Sequence, residues 1–248
     1  MYRVLGVIPA RLESARLPGK PLREICGRPM IAWVYEGARR AACLDHLLVA
    51  TDSPEVESCC RSQGIPVMMT SREHRCGTDR LAEVMTREPA ALYVNIQGDE
   101  PMITPGHLER LLRPFDEEPT TQVSTLKVAI DAEAALDGNV VKVVTDLAGR
   151  ALYFSRARIP YDRDGRGPDQ YFKHLGIYAF TAAALEKFHQ LPPSPLEKLE
   201  KLEQLRYLEN NVSITVVETP DDAIHVDTEE DLARVEAYFR QSHLRQER

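Results

Sequence analysis

Residues 47–54, Leu47-Leu-Val-Ala-Thr-Asp-Ser-Pro54, decide the fold. The apolar run Leu47–Ala50 reads as a strand. Ser53 with Pro54 behind it reads as an N-cap and a first helical proline, whose missing N–H removes no helical bond. Strand therefore passes to helix within a few residues. The same rhythm extends both ways from here: strands are predicted over Val4–Ile8, Pro66–Met69 and Leu92–Ile96, and helices begin near Met30, Gly77 and Thr104. Short apolar runs alternating with longer amphipathic stretches are the pattern of βαβ units. Residues 1 to about 115 thus predict an α/β fold on a mostly parallel sheet flanked by helices.

Further along, the parallel rhythm breaks. Gln122–Ile130 is strand-like, and Val140–Thr145 with Ala151–Phe154 predict a hairpin around Asp146–Gly149. Residues 162–169, Asp-Arg-Asp-Gly-Arg-Gly-Pro-Asp, have the composition of a loop; a flap on an inserted sub-domain and simple disorder both fit it. Between Ser194 and Asn211, leucines at 196, 199, 202, 205 and 208 predict a helix whose apolar stripe winds steadily around its axis. Such a helix touches more than one surface, either bridging parts of one subunit or meeting a second copy. Thr228 and Asp231 resemble a capping box and open a final helix to about Ser242.

The 248 residues suit one large domain, or a domain with a sub-domain, on a soft prior of ~150 residues per domain. With 43% hydrophobic residues the chain can bury a core, which argues against intrinsic disorder. The 31 Lys+Arg against 38 Asp+Glu, net −7, disfavour broad neutralisation of nucleic-acid phosphates. The five cysteines, Cys26, Cys43, Cys59, Cys60 and Cys76, contain no C-x-x-C and read as reduced thiols, which predicts a cytoplasmic protein. The start of the chain lacks the apolar core of a signal peptide, and no apolar run approaches the ~18 residues of a membrane span. No membrane association is expected.

The segment Val7-Ile-Pro-Ala-Arg-Leu-Glu-Ser-Ala-Arg-Leu-Pro-Gly-Lys-Pro21 leaves the first strand and brings Arg11, Arg16 and Lys20 onto one loop. The carboxyl end of a first strand in an open α/β sheet is a ligand site, and a nucleoside triphosphate carries about four negative charges that need such partners. A solvated surface loop is the plainer alternative. Ser14 stands where a Walker loop needs its first glycine, and Pro21 follows Lys20 where Ser or Thr belongs. No G-x-G-x-x-G opens the first helix, so a dinucleotide site loses its main support.

A second segment, Val94-Asn-Ile-Gln-Gly-Asp-Glu-Pro101, ends an apolar strand in Gly98, Asp99 and Glu100. Mg²⁺ favours one or two carboxylates together with phosphate oxygens and water, so Asp99 facing a triphosphate fits metal-assisted nucleotidyl or phosphoryl transfer. Capping of the next turn is the alternative for Asp99. Asp227, after Ile224-His-Val, could complete the metal site or merely precede the helix that Thr228 opens.

Taken in order, Ile8-Pro-Ala-Arg, Arg16-Leu-Pro-Gly-Lys-Pro, Ala50-Thr-Asp, Gly77-Thr-Asp-Arg-Leu-Ala-Glu and Asn95-Ile-Gln-Gly-Asp-Glu-Pro have a family look. Leu152-Tyr-Phe-Ser-Arg, His174-Leu-Gly-Ile-Tyr, Ser194-Pro-Leu-Glu, Leu202-Glu-Gln-Leu-Arg and Val226-Asp-Thr continue it. Over nearly its whole length the chain resembles the 3-deoxy-manno-octulosonate (Kdo) cytidylyltransferases, the CMP-Kdo synthetases.

The resemblance implies a nucleotide-diphospho-sugar transferase-like fold over residues 1–248, with about 122–215 contributing a smaller sugar-binding and dimerisation sub-domain. It implies CTP and Kdo as substrates, Mg²⁺ as cofactor, a homodimer, and a product, CMP-Kdo, that feeds lipopolysaccharide synthesis. The cytosine would be read near Pro9, Ala10 and Arg11 and by Gly77 to Arg80, with Gly98 beside them, and Arg16 and Lys20 would hold the triphosphate. Asp99 and Asp227 would bind Mg²⁺. Gln97, Arg156, His174, Tyr178, Glu203 and Gln204 would line the sugar pocket, with Arg156 pairing with the sugar carboxylate. One departure is Cys76, where the family commonly has serine, and a thiol is the weaker hydrogen-bond partner. Alternatives from the residues are a cytidylyltransferase for 8-amino-Kdo or a sialic acid, and a catalytically silent nucleotide-sugar-binding protein. A glycosyltransferase would want D-x-D, which Asp99-Glu-Pro is not.

Overall fold

A computed structural model describes residues 1–13, 17–74, 76–165 and 170–246, with side chains to residue 241. Two compact units divide the chain, Met1–Leu108 with Ala223–Arg248, and Glu109–Asp222.

The first unit opens with β1, Tyr2–Ala10, and the two-residue strands β2, Glu24–Ile25, and β3, Arg28–Pro29. Then follow α1, Met30–Arg39; β4, His46–Thr51; α2, Pro54–Ser62; β5, Val67–Met69; α3, Gly77–Arg87; and β6, Ala90–Asn95. Helix α4, Pro105–Glu117, begins in this unit and ends in the next. Strand β1 pairs in parallel with β4 on one side and β6 on the other, and β4 pairs in parallel with β5. The four apolar runs expected to be strands all form, with only their end residues shifted. Val4, Leu5, Val7 and Ile8 are buried in succession along β1, the mark of a strand covered on both faces. Ser53 caps α2 as expected, its Oγ accepting from the Val56 N–H at 3.2 Å, with Pro54 at the first helical position.

This strand order, β6-β1-β4-β5, positions the site. The chain steps from β1 to β4 and β5 on one side, then returns to β6 on the other. The carboxyl ends of β1 and β6 therefore flank the point where strand order reverses, the usual ligand crevice of an open α/β sheet.

The second unit contains β7, Val123–Ile130; β8, Lys142–Thr145; β9, Ala151–Ser155; β10, Tyr171–Thr181; α5, Ala182–Gln190; α6, Pro195–Glu200; α7, Leu205–Glu209; and β11, Ile214–Glu218. Its pairing is mixed: β7 runs antiparallel to β10 and parallel to β11, and β8 with β9 forms the expected hairpin. Of the loop 162–169, Arg166 to Asp169 lie outside the described residues.

The leucine-spaced segment corrects the sequence reading. Residues Ser194–Asn211 form two short helices, α6 and α7, because Lys201 ends the first in the left-handed region at φ 57°. A three-residue spacing drifts about 60° per step on a 3.6-residue helix, so one continuous helix could not face all five leucines to one core. The break lets Leu202 and Leu205 bury while Leu199 stays 79% exposed. Glu197 fastens the pair, completing a capping box with Ser194 and meeting the Arg206 Nε and Nη2 at 2.8 and 2.5 Å. The chain then returns to the first unit in α8, Glu229–Gln246, slightly longer than expected. Its start is the expected box: the Asp231 N–H donates to Thr228 Oγ1 at 3.2 Å, and the Thr228 N–H to Asp231 Oδ2 at 3.1 Å.

Candidate active site

Where β1 ends at Ala10, the chain leaves the sheet through Arg11 and comes back through Leu17-Pro18-Gly19 to Lys20. Gly19 makes the return possible at φ 67°, its N–H donating to the Leu12 carbonyl at 3.3 Å. Lys20 opens a 3-10 turn, Lys20–Leu22, and is buried. Arg11 donates from Nη2 to the His74 carbonyl at 2.6 Å. Arg16 lies outside the described residues.

The acidic loop arrives beside it from β6. The Ile96 N–H donates to the Val7 carbonyl at 2.9 Å, extending the ladder one step beyond the strand. At Gly98 a Cβ would stand 2.9 Å from the Pro9 carbonyl oxygen, closer than a side chain can sit, so glycine alone lets the acidic loop lie against the end of β1. A Cβ at Gly77 would fall 3.3 Å from Pro9 Cγ. Pro9 is thus bounded by two glycines, Gly98 on the acidic loop and Gly77 at the start of α3, leaving backbone rather than side chain at this end of the sheet. Arg80 is fully buried, and its guanidinium pairs with Asp52 at 2.8 Å and donates to Thr70 Oγ1.

The third segment of the site, residues 224–227, precedes α8. The Val226 N–H donates to the Asp99 carbonyl at 2.9 Å, which stitches the segment before α8 to the acidic loop. His225 and Asp227 flank that bond, and both side chains meet the Asp99 and Lys20 cluster. Lys20 Nζ lies 2.5 Å from Asp99 Oδ2 and 2.7 Å from Asp227 Oδ1. The His225 ring bridges the same two acids, Nδ1 at 3.1 Å from Asp99 and Nε2 at 3.2 Å from Asp227. Asp99, His225 and Asp227 each offer a ligand atom, all within 4.8 Å of one another. Neither acid is spent on capping, since Thr228 with Asp231 caps α8 and the Asp99 carboxylate faces the two cations.

The electrostatics follow from this crowding. Burial alone would raise both carboxyls, yet the His225 imidazolium and the Lys20 ammonium hold Asp99 down to about 2 and Asp227 lower still. Burial would lower His225, but the two carboxylates raise it to about 10. The site is therefore a pair of anions held ionised by two cations.

The second unit holds the other expected residues. His174 is buried, its Nε2 3.0 Å from Thr125 Oγ1, and burial, with the nearby Lys173 charge, presses its pKa down to about 3. Its ring lies 5.3 Å from that of Tyr178, with the β10 register shift between Leu175 and Tyr178 turning the strand at this point. Arg156 is held by the backbone, Nε donating to the Glu200 carbonyl at 2.9 Å and Nη1 to the Gly138 carbonyl at 3.2 Å. Glu203 and Gln204 stand in the bend before α7, Gln204 buried and Glu203 half-buried; in the first unit Gln97 is half-buried in the acidic loop. Sequence reasoning missed His225, although its alternation with Asp227 on an extended run was a usable signal. It also missed Glu200, whose carboxylate binds the Ser155 hydroxyl and the Arg156 N–H at 2.6 and 3.0 Å; nothing in its helix pattern marks it.

Comparison with known proteins shows the family. Residues 5–214 match the family described as cytidylyltransferase. A 3-deoxy-manno-octulosonate cytidylyltransferase from Acidobacterium capsulatum is 55% identical over 233 residues, covering 94% of this chain and 95% of its own. The enzyme of that name from Koribacter versatilis is 52% identical, covering 96% and 90%. The solved structure of a CMP:2-keto-3-deoxy-manno-octonic acid synthetase complexed with CTP superposes with a TM-score of 0.93 at 44% identity, over 97% of this chain and 99% of that one. A cytidylyltransferase from Leptospira borgpetersenii, 16% identical with a TM-score of 0.63 over 96% of this chain and 86% of its own, shares the fold. With strand ends, glycines and acids placed as they are, and relatives of this similarity over the full length, the chain belongs to the 3-deoxy-manno-octulosonate cytidylyltransferases.

Proposed function

We propose that this nucleotidyltransferase works by in-line attack of the anomeric hydroxyl of Kdo on the α-phosphorus of CTP, with the Lys20, Asp99 and Asp227 cluster as its catalytic centre. The P–O bond to pyrophosphate breaks as the new P–O bond to the sugar forms, giving CMP-Kdo. The observation that carries this reading is the meeting of the cation loop and two acids at the strand-order reversal, in a chain 44% identical to a synthetase solved with CTP.

The acid pair fits a hard divalent ion: two carboxylates already kept ionised, with cations now lying where positive charge is wanted. Mg²⁺ bound there would offset phosphate charge and lower the pKa of the attacking hydroxyl. Asp99 and Asp227 would hold it, and Lys20, with Arg16, would stabilise charge moving onto the departing pyrophosphate. Pro9, Ala10, Arg11, Cys76, Gly77 and Arg80, with Gly98, would present the backbone that reads the base. His174, neutral at physiological pH, suits sugar hydroxyls better than a charged ring would, and Tyr178, Gln97, Glu203 and Gln204 complete the sugar-binding set. Arg156 would receive the sugar carboxylate, its guanidinium oriented by two carbonyls.

A homodimer through the second unit, about residues 122–215, is supported by Leu152 on β9 and Leu199 on α6, exposed at 62% and 79% on elements joined through Ser155 and Glu200. Five unbridged cysteines support a cytoplasmic location, where CTP is made. Among the described residues no helix is long and apolar enough to cross a membrane. The product would supply lipopolysaccharide assembly. Pyrophosphate release with CTP and Mg²⁺, run against Kdo, 8-amino-Kdo and a sialic acid with product identification, tests the reading. Turnover with Kdo is expected, and none with any of the three would refute it.

A further inference from the structure

We infer that His225 makes the metal site of this chain selective for a borderline divalent transition ion, Co²⁺ being the probe of choice, relative to Mg²⁺. The inference rests on the reading that Asp99 and Asp227 hold a divalent ion, and it concerns the third donor beside them. Two carboxylates alone form an all-oxygen set suited to Mg²⁺; an added imidazole nitrogen shifts preference along the series toward Co²⁺ and Zn²⁺.

The geometry is already in place. The His225 nitrogens approach one oxygen on each acid, at 3.1 and 3.2 Å, and one ligand atom from each of the three residues lies within 4.8 Å of the others. A ring with an acid at each nitrogen can coordinate through one while its other N–H donates to a carboxylate, the arrangement that fixes metal-binding histidines elsewhere. The ring is not loose: the Val226 N–H bond to the Asp99 carbonyl fixes the backbone between His225 and Asp227. It is also reachable, with the His225 side chain 40% exposed against 20% for Asp99 and 22% for Asp227. Lys20 takes the other oxygen of Asp99 and shares Asp227 Oδ1 with the ring, and among the described His, Cys, Asp and Glu side chains grouped here the imidazole is the one nitrogen donor.

Direct metal titration tests this without any turnover. Mg²⁺ and Co²⁺ are titrated calorimetrically into metal-free wild type, His225→Ala, His225→Gln and Asp99→Asn, and Co²⁺ is followed also by its visible absorption. Both His225 variants should lose about 10–100-fold in Co²⁺ affinity while Mg²⁺ affinity changes less than about threefold, and the Co²⁺ spectrum should change with loss of a nitrogen ligand. An unchanged Co²⁺/Mg²⁺ ratio and spectrum in folded His225→Gln, with both ions weakened in Asp99→Asn, overturns the role of His225 and leaves the metal site standing. Unchanged binding of both ions in Asp99→Asn overturns the metal site and this inference with it.

Discussion

Two histidines are driven in opposite directions by their surroundings. His225, in the first unit, sits between Asp99 and Asp227 and is raised to about 10; His174, in the second, lies against Thr125 and aromatic rings and falls to about 3. Burial pushes both the same way. What separates them is whether an acid is within reach. The first site is thus built to gather charge and balance it, and the surroundings of His174 to hold a polar ring without charge. That division suits a reaction in which one substrate is a polyanion and the other a polyol with a single carboxylate.

The largest test breaks the charged region. Asp99→Asn keeps the side-chain shape but removes one anion, and should cost about 10²–10³ in turnover with Kdo and CTP while the thermal transition survives. Near-normal pyrophosphate release at saturating Mg²⁺ would remove Asp99 from the chemistry. Next in size is Lys20→Ala, expected to weaken CTP binding and slow the chemical step, together at least about tenfold in kcat/KM. Unchanged steady-state kinetics would show that the ammonium serves only the resting acid pair.

The third test separates the two regions by pH. His174 has its folded value below the unfolded 6.5, so the unfolded chain binds the extra proton between about 6.5 and about 3. Stability from this group therefore falls as pH drops through that window, by about 1 kcal/mol per pH unit, and is whole above it. Asp99, depressed from 3.8 to about 2, loses its contribution only as pH falls between those two values. Urea midpoints against pH should decline first through His174, and His174→Gln should flatten the slope above about pH 4; an equally steep slope in that variant would contradict the buried neutral ring. The smallest effect is at Cys76, which stands at the N-cap of α3 without a side-chain capping bond. Cys76→Ser should raise stability by about 0.5–1 kcal/mol, read as a small upward shift of the melting temperature.

Much of the first region was legible from residues alone, because its signals are local. Apolar runs marked each strand, Ser53-Pro54 marked a helix start, and cations or acids directly after a strand marked the ligand edge. The convergence of Asp227 with Asp99 was not legible from residues alone. It depends on strand order and on a backbone bond between residues 99 and 226, and the resemblance to a family supplied what local pattern could not. His225 went unnoticed because its one signal, the two-residue spacing from Asp227, gains meaning only once Asp227 is placed beside Asp99. In the second unit the leucine spacing misled, since a stripe that winds around an axis is equally a sign that the helix stops. Nothing in the residues marked the left-handed Lys201 that ends α6.

The stitch between Val226 and Asp99 has a consequence for how the molecule comes into being. More than a hundred residues separate its two ends, so closing it is an entropic step that neither neighbouring segment can make alone. On the ribosome, Lys20 and Asp99 emerge early and wait through synthesis of the entire second unit. A chain cut short before residue 225 lacks the donor of this bond and, with it, the His225 and Asp227 side chains that flank it.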